Sequence, residues 1–464
     1  MARDTNDETP IETRDDLVGW FEAGCKPGQA VGIENEKIPF YRDTLAPVPY
    51  DGDPATGRQG VRALLDGMAK AQGWERILED DRPIGLSDDH GGGGAISLEP
   101  GGQFELSGAP LKTLHESRIE LAAHLDALKA VAEPLGIGFL TLGSSPKWSL
   151  AQTPIMPKGR YRIMAGYMPK VGTRGLDMMF RTATVQANLD FASEADMVRK
   201  LRVSLALQPI TTALFANSPF KDGKPSGFLS ERSHIWLDTD RARSGMMPFA
   251  FEVGMGFERY VDYALDVPLY FVKRGDRYHD VSGASFRDLL EGRLAALPGQ
   301  RATLSDWANH LSTIFPEVRL KRYLEMRGED VGSAEMIVAL GALFVGLLYD
   351  GVALDAATDL VAPWSGADQA EQRQAMRDAV PVQGFKTMVA GRSFRDISRD
   401  MLAIAHAGLA RRGFRDAEGR DETQFLAPLD DLVDRGQTQA ERLLERYHGV
   451  WKESVDPAFA ECVY

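Results

Sequence analysis

Carboxylates recur in this chain at the spacing that puts them on one side of a strand. In AVGIENEKIPF, residues 30 to 40, they are Glu34 and Glu36; in ISLEPGGQFELSG, residues 96 to 108, Glu99 and Glu105 flank a Pro-Gly-Gly bend and Gln103 stands two residues before Glu105. Side chains alternate across a strand, so Glu34 and Glu36 share a face while Val31 and Ile33 take the other, and Gln103 and Glu105 oppose Phe104 and Leu106. Two further stretches alternate in the same way. FRTATVQANLDF, 180 to 191, aligns Thr182, Thr184, Gln186, Asn188 and Asp190, and RLKRYLEMR, 319 to 327, aligns Arg319, Lys321, Tyr323, Glu325 and Arg327. Singly, each is what an amphipathic strand with a solvated face looks like. Together, Glu34, Glu36, Glu99, Gln103, Glu105, Gln186 and Glu325 make a set of oxygen and amide donors without His or Cys. Hard oxygen donors suit Mg²⁺, which keeps waters and is shared with substrate phosphates. Clustered carboxylates resist ionisation unless a cation joins them, so the pattern reads as the wall of a Mg-nucleotide site.

Phosphates also need positive charge. Lys158, Arg160, Arg162, Lys170, Arg174 and Arg181 fall close together with Asp177 as the one acid between Lys158 and Arg181, although such runs are commonly solvated faces. Arg327, two residues after Glu325, is the better single candidate for phosphate contact. FLSERSHIWLDTDRARSG, 228 to 245, adds Arg232, Trp236 and Arg243, a basic and aromatic set suited to a carboxylate-bearing substrate. No Ser-His-Asp or Cys-His arrangement is evident, and His234 and His279 read as structural histidines.

These residues need elements to position them. Helical periodicity covers about 113 to 133 and 193 to 215, the second with Ser193 as a cap ahead of Glu194 and Asp196; SFRDISRDMLAIAHAGLARRG ends on basic residues and Gly413, a helix C-terminus. MIVALGALFVGLLY, 336 to 349, is too short to span a bilayer comfortably and reads as a buried core helix. HGGGG at 90 to 94 lacks the Lys-Ser/Thr of a phosphate loop and reads as a flexible turn. Residues 1 to 15, acidic and without an apolar run, read as a disordered tail, followed from 16 to 464 by one α+β catalytic domain, mainly helical from about 351. A formal net charge of -14 argues against nucleic acid or an anionic membrane as partner. Only Cys25 and Cys462 are present, which fits a reducing compartment and a cytoplasmic protein.

GIENEK, SLEPGGQFELSGAPLKTLH, MPKGRY, YMPKVG, GLDMMFRTATVQANLDF, ALFANSPF, RSHIWLDTD, YVDYALDVP, FPEVRLKRYLEMRG and SVDPAF, in this order, closely resemble the plant and proteobacterial type of glutamate–cysteine ligase from about Gly19 to the C-terminus. The resemblance implies a carboxylate-amine ligase fold related to glutamine synthetase, with a curved antiparallel sheet forming a funnel and helices outside it. It implies ATP-dependent joining of the glutamate γ-carboxylate to the cysteine amine, the first step of glutathione synthesis, with L-glutamate, L-cysteine and ATP as small-molecule partners of a monomer or weak homodimer. Carried over residue by residue, Glu34, Glu36, Glu99, Glu105 and Glu325 become Mg²⁺ ligands, and Gln103, Gln186, Lys321 and Arg327 line the nucleotide. Arg327 is the expected catalytic residue. Arg174, Arg181, Asn188, Arg232, Trp236 and Arg243 are the expected substrate contacts. A ligase of the same fold with another amine acceptor, or a nucleotide-binding regulator without catalysis, are the alternatives. Plant members of the type carry regulatory disulfides; the matching positions here hold Arg118, Val281, Ala296 and Val338, so that switch is expected to be missing.

Overall fold

The computed structural model describes residues 7–89 and 92–464. The alternating stretches form strands: β1 (Val31–Tyr41), β2 (Glu75–Glu79), β3 (Arg82–Ser87), β4 (Ala95–Leu98), β5 (Phe104–Ser107), β6 (Ile137–Leu140) and β7 (Thr184–Leu189), joined by the strands Val318–Leu320 and Leu324–Asp330. Every pairing in this sheet is antiparallel. Its order runs from the 318–330 hairpin through β7, β1, β5, β4 and β3 to β2, while β6 pairs with the C-terminal half of β1. All of β1 except Glu36 is buried, because one of its faces lies on the core and the other lines a cavity.

The core face rests on the helix Ala334–Leu348, whose residues 336–348 are all buried, as the apolar run predicts. Gly341 of this helix lets the sheet approach closely: a Cβ there would stand 2.7 Å from Ile33 Cδ1. No single helix among the described residues is long and apolar enough to cross a membrane. The capping signals also act where the sequence places them. Ser193 accepts from Asp196 N at 3.2 Å to cap Glu194–Leu214, and Gly413 ends Phe394–Arg412 with φ at 72°; Thr113, read from sequence only as the start of a helical stretch, caps Leu114–Ala132. From 351 onward the chain is mainly helical, with one short hairpin, Met388–Val389 with Arg392–Ser393.

Three expectations change. Residues 180 and 181 complete the helix Gly175–Arg181 instead of opening a strand, and Asp177 and Arg181 pair four residues apart on it at 3.0 Å. Residues 319 to 327 form a hairpin and not one strand, closed by Lys321 N donating to Tyr323 O at 2.8 Å. Arg319 stands opposite Glu325 across that hairpin, and cross-strand partners share a face, so the polar set stays together despite the turn. The described part of the expected tail is docked: Ile11 is buried and its N donates to Ala302 O at 3.0 Å, Leu304 N donates to Thr9 O at 3.0 Å, and the first helix already begins at Arg14. His90 and Gly91 of HGGGG lie outside the described residues; Asp88 N donates to Gly94 O at 2.9 Å just ahead of β4.

Candidate active site

The register of the sheet builds the site. Antiparallel pairing sets Glu36 opposite Glu105 and Glu34 opposite Gln186, so both carboxylate stretches meet on the face turned away from the core. Each carboxylate has a small fixed partner. Glu36 accepts from Thr184 N at 3.0 Å, Glu105 from Ser97 Oγ, and Glu34 from Asn188 Nδ2 at 2.6 Å. Burial, reinforced by the charges of Glu99 and Glu34, pushes Glu105 up to about 8; burial and the charge of Glu105 raise Glu36 well above the usual carboxylate range.

Facing them is a cationic wall supplied by the 318–330 hairpin. Glu325, fully buried, holds Arg319 and Lys321 each at 2.6 Å and Arg327 at 3.0 Å. Burial alone would raise Glu325, but Arg319, Lys321 and Arg327 keep it well below the usual range, so it remains an anion that fixes three cations. The Arg327 guanidinium lies 5.5 Å from the ring centres of both Trp236 and Phe315. A third wall is the short helix Glu231–Trp236. Its Arg232 binds Gly328 O and Arg327 O, both at 2.8 Å, yet its Nε and the Trp236 Nε1 are buried without an acceptor. Two buried N–H donors without acceptors on one cavity wall call for an acceptor from a ligand.

Glu34, Glu36, Glu99, Gln103, Glu105, Gln186, Arg232, Trp236, Lys321 and Arg327 all line this one cavity. Five expected residues do other work. Glu325 is the anchor just described and is not in the lining. Arg181 is buried between Asp177 and Asp222, Arg243 is fully buried on Asp240 and stacked 3.7 Å from the Tyr270 ring centre, and Arg174 pairs with Glu231 at 3.5 Å. Asn188 supports Glu34 and lines an adjoining cavity on the other side of it, with Lys26, Asp190 and Tyr323. Gln103 lines the main cavity, but its amide is committed to backbone: its Oε1 accepts from Gly101 N at 2.8 Å and its Nε2 donates to Thr182 O at 2.7 Å. The reading passed over Arg319, visible on the same strand face, and left Lys158 and Arg160 inside a charge run; all three line the cavity.

Fold and site together define a carboxylate–amine ligase of α+β architecture, with acids on one wall and fixed cations on another. Comparison with known proteins narrows this. Residues 30–461 match the model of glutamate–cysteine ligase family 2, and the chain belongs to that family. Glutamate–cysteine ligase B of Oryza sativa subsp. japonica, a chloroplastic enzyme, is 53% identical over 97% of this chain and 87% of its own length. The chloroplastic enzyme of Arabidopsis thaliana is 54% identical over 97% of this chain and 83% of its own. The fold is shared with the glutamate–cysteine ligase of Francisella tularensis solved in complex with AMP, at a TM-score of 0.53 and 13% identity over 94% of this chain and 88% of that one. The relatives at 53 and 54% identity, being chloroplastic, overturn the expectation of a cytoplasmic enzyme. The cysteine count behind that expectation speaks to redox state and not to an address.

Proposed function

We propose that this chain joins the γ-carboxylate of L-glutamate to the amine of L-cysteine with cleavage of ATP to ADP and phosphate, the first step of glutathione synthesis. A carboxylate is a poor electrophile. Transfer of the terminal phosphoryl group of ATP converts it to an acyl phosphate, and the cysteine amine then displaces phosphate and loses a proton as the amide forms. Arg232 Nε and Trp236 Nε1, the donors left without acceptors, hold a carboxylate of the glutamate. Arg319, Lys321 and Arg327 face the charge that spreads over the transferring phosphoryl oxygens, and because Glu325 already fixes them, little reorganisation is needed during the transfer.

The donor set fits Mg²⁺. Glu34, Glu36, Glu99 and Glu105 would hold it, whereas Glu325 is spent on its three cations. Among the described residues no group of three or more acids, His or Cys forms a ready metal cage, so the carboxylates would work in pairs with phosphate and water oxygens completing the shell. Bound there, the ion supplies charge neutralisation to the phosphate oxygens.

One observation carries the reading: a carboxylate pair, half-buried Glu36 and buried Glu105, faces three cations locked in place by Glu325 across one cavity. Residues 16 to 464 act in it as one catalytic domain, supported by a main core that draws on residues from Ile11 to Phe459. The test is ADP release with glutamate and ATP, with and without cysteine and other amines. Release that requires both amino acids is expected. Glutamate-independent release, or none, overturns the proposal.

A further inference from the structure

Arg232 and Trp236 stand on a helix of six residues, Glu231–Trp236, too short to be stable without tertiary support. That support comes from the helical C-terminal part of the chain, where the helix Ala370–Gln383 meets the short helix at both ends. At its start, Pro381 O accepts from Leu229 N at 2.6 Å and from the N-cap residue Ser230 N at 3.3 Å. At its end, Arg377 Nη2 donates to Trp236 O at 3.0 Å. The neighbouring Nε of Arg377 donates to Glu317 Oε1 at 2.5 Å. Glu317 leads into the 318–330 hairpin: its carbonyl accepts from Arg327 N at 3.3 Å. Two residues before it, Phe315 shares with Trp236 the place beside the Arg327 guanidinium, the two rings meeting at 5.9 Å between centres. One planar guanidinium, buried behind that junction and outside the cavity lining, therefore bridges the wall that carries Trp236 and the wall that carries Arg327.

We infer that Arg377 is a positioning residue for glutamate: by holding the Trp236 carbonyl against the 318–330 hairpin it fixes the direction of the Trp236 indole N–H. This rests on the ligase reading above, in which Trp236 Nε1 and Arg232 Nε hold a carboxylate of the glutamate. A hydrogen bond weakens steeply as its donor tilts, and the indole turns with the backbone that carries it. The backbone beyond the helix does not fix Trp236. Leu237 N returns to His234 O and Asp238 N to Ile235 O, both at 3.2 Å, and Trp236 O is taken by Arg377. Arg319, Lys321 and Arg327, in contrast, are held by Glu325 without Arg377. Loss of Arg377 therefore falls on glutamate binding and not on the nucleotide.

Steady-state kinetics of Arg377→Met, Arg377→Lys, Trp236→Phe and the combined Arg377→Met, Trp236→Phe variant, with Tm of each, test the assignment. Arg377→Met should raise KM for glutamate by about tenfold while KM for ATP stays within about twofold. Arg377→Lys keeps a cation for Glu317 but not the adjacent pair of donors, and should raise KM for glutamate by about threefold. Trp236→Phe removes the indole N–H. In that background Arg377→Met should raise KM for glutamate by less than about twofold further, because the group it positions is gone. Rises that multiply in the combined variant, or a KM for ATP that rises in step with that for glutamate, mark a role in folding alone and overturn the inference. A parent KM for glutamate in Arg377→Met or in Trp236→Phe overturns it as well. If Arg377→Met does not fold, Arg377→Lys, alone and combined with Trp236→Phe, decides by the same comparison. A parent without glutamate-dependent ADP release overturns the ligase reading instead.

Discussion

Glu325 and the Glu36–Glu105 pair are acidic groups of one sheet, yet the structure gives them opposite jobs, and substitutions separate the two. Glu36→Ala and Glu105→Ala remove oxygen ligands from a like-charged pair; kcat should fall by about two orders of magnitude or more and the Mg²⁺ requirement should rise, with thermal stability preserved. Normal turnover of both at saturating Mg²⁺ would remove them from the metal site. Glu325→Gln instead strips the counter-charge from Arg319, Lys321 and Arg327, so turnover and stability should fall together, the latter by about 3 to 5 kcal/mol. Arg327→Lys keeps charge but loses the planar fork between Trp236 and Phe315, and kcat should still drop by about tenfold or more. Glu329 offers a pH test away from the metal ligands. Burial raises it from 4.5 to about 7, against the hydrogen bonds it accepts from Thr211 and Gln208. The folded state therefore holds a proton that the unfolded chain has released, and this contribution to stability is complete below 4.5 and lost as pH rises through about 7. Between pH 5 and 8, Tm of the parent should decline relative to Glu329→Gln, a comparison open to differential scanning calorimetry.

At the scale of elements, the sheet is held against helices by close approaches that only glycine permits. The helices Ala334–Leu348 and Phe394–Arg412 cross at Gly346 and Gly408, where a Cβ on Gly408 would stand 1.9 Å from Gly346 O. A side chain there must push the helices apart. Gly408→Val should cost about 1 to 3 kcal/mol in urea unfolding while leaving KM for the substrates unchanged, since neither helix lines the cavity. The 318–330 hairpin depends on a similar approach: a Cβ on Gly24 would lie 2.6 Å from Arg322 Cα, so the segment after the first helix packs directly on the turn next to Lys321.

For the whole molecule, the thiols decide how it responds to oxidants. Cys25 and Cys462 are both free. Burial and the nearby acids Glu22, Glu194 and Asp196 raise Cys25, and burial pushes Cys462 up to about 12, so neither presents a thiolate at neutral pH. Activity and elution volume on a sizing column should be the same after dithiothreitol or mild oxidant. A reversible, several-fold activation by oxidant that disappears in the Cys25→Ser, Cys462→Ser double variant would contradict this.

What the sequence by itself determined was local: which residues share a face, where helices are capped, and which run is buried. Alternation at Glu34 and Glu36 and around Gln103 and Glu105 depends only on the backbone period of two, and capping at Thr113 and Ser193 on bonds within a few residues. Even the misread 319–327 strand kept its polar face, because a tight antiparallel turn preserves sidedness. Tertiary structure alone decided what each charge faces. Arg181 is neutralised by Asp222, 41 residues away, Arg243 reaches Pro268 O, and Arg232 grips the carbonyls of Arg327 and Gly328, while Glu325 meets its cations through a turn without Gly or Pro to announce it. A buried ionic group is directed by partners that folding brings to it from distant positions, and no local pattern encodes that choice.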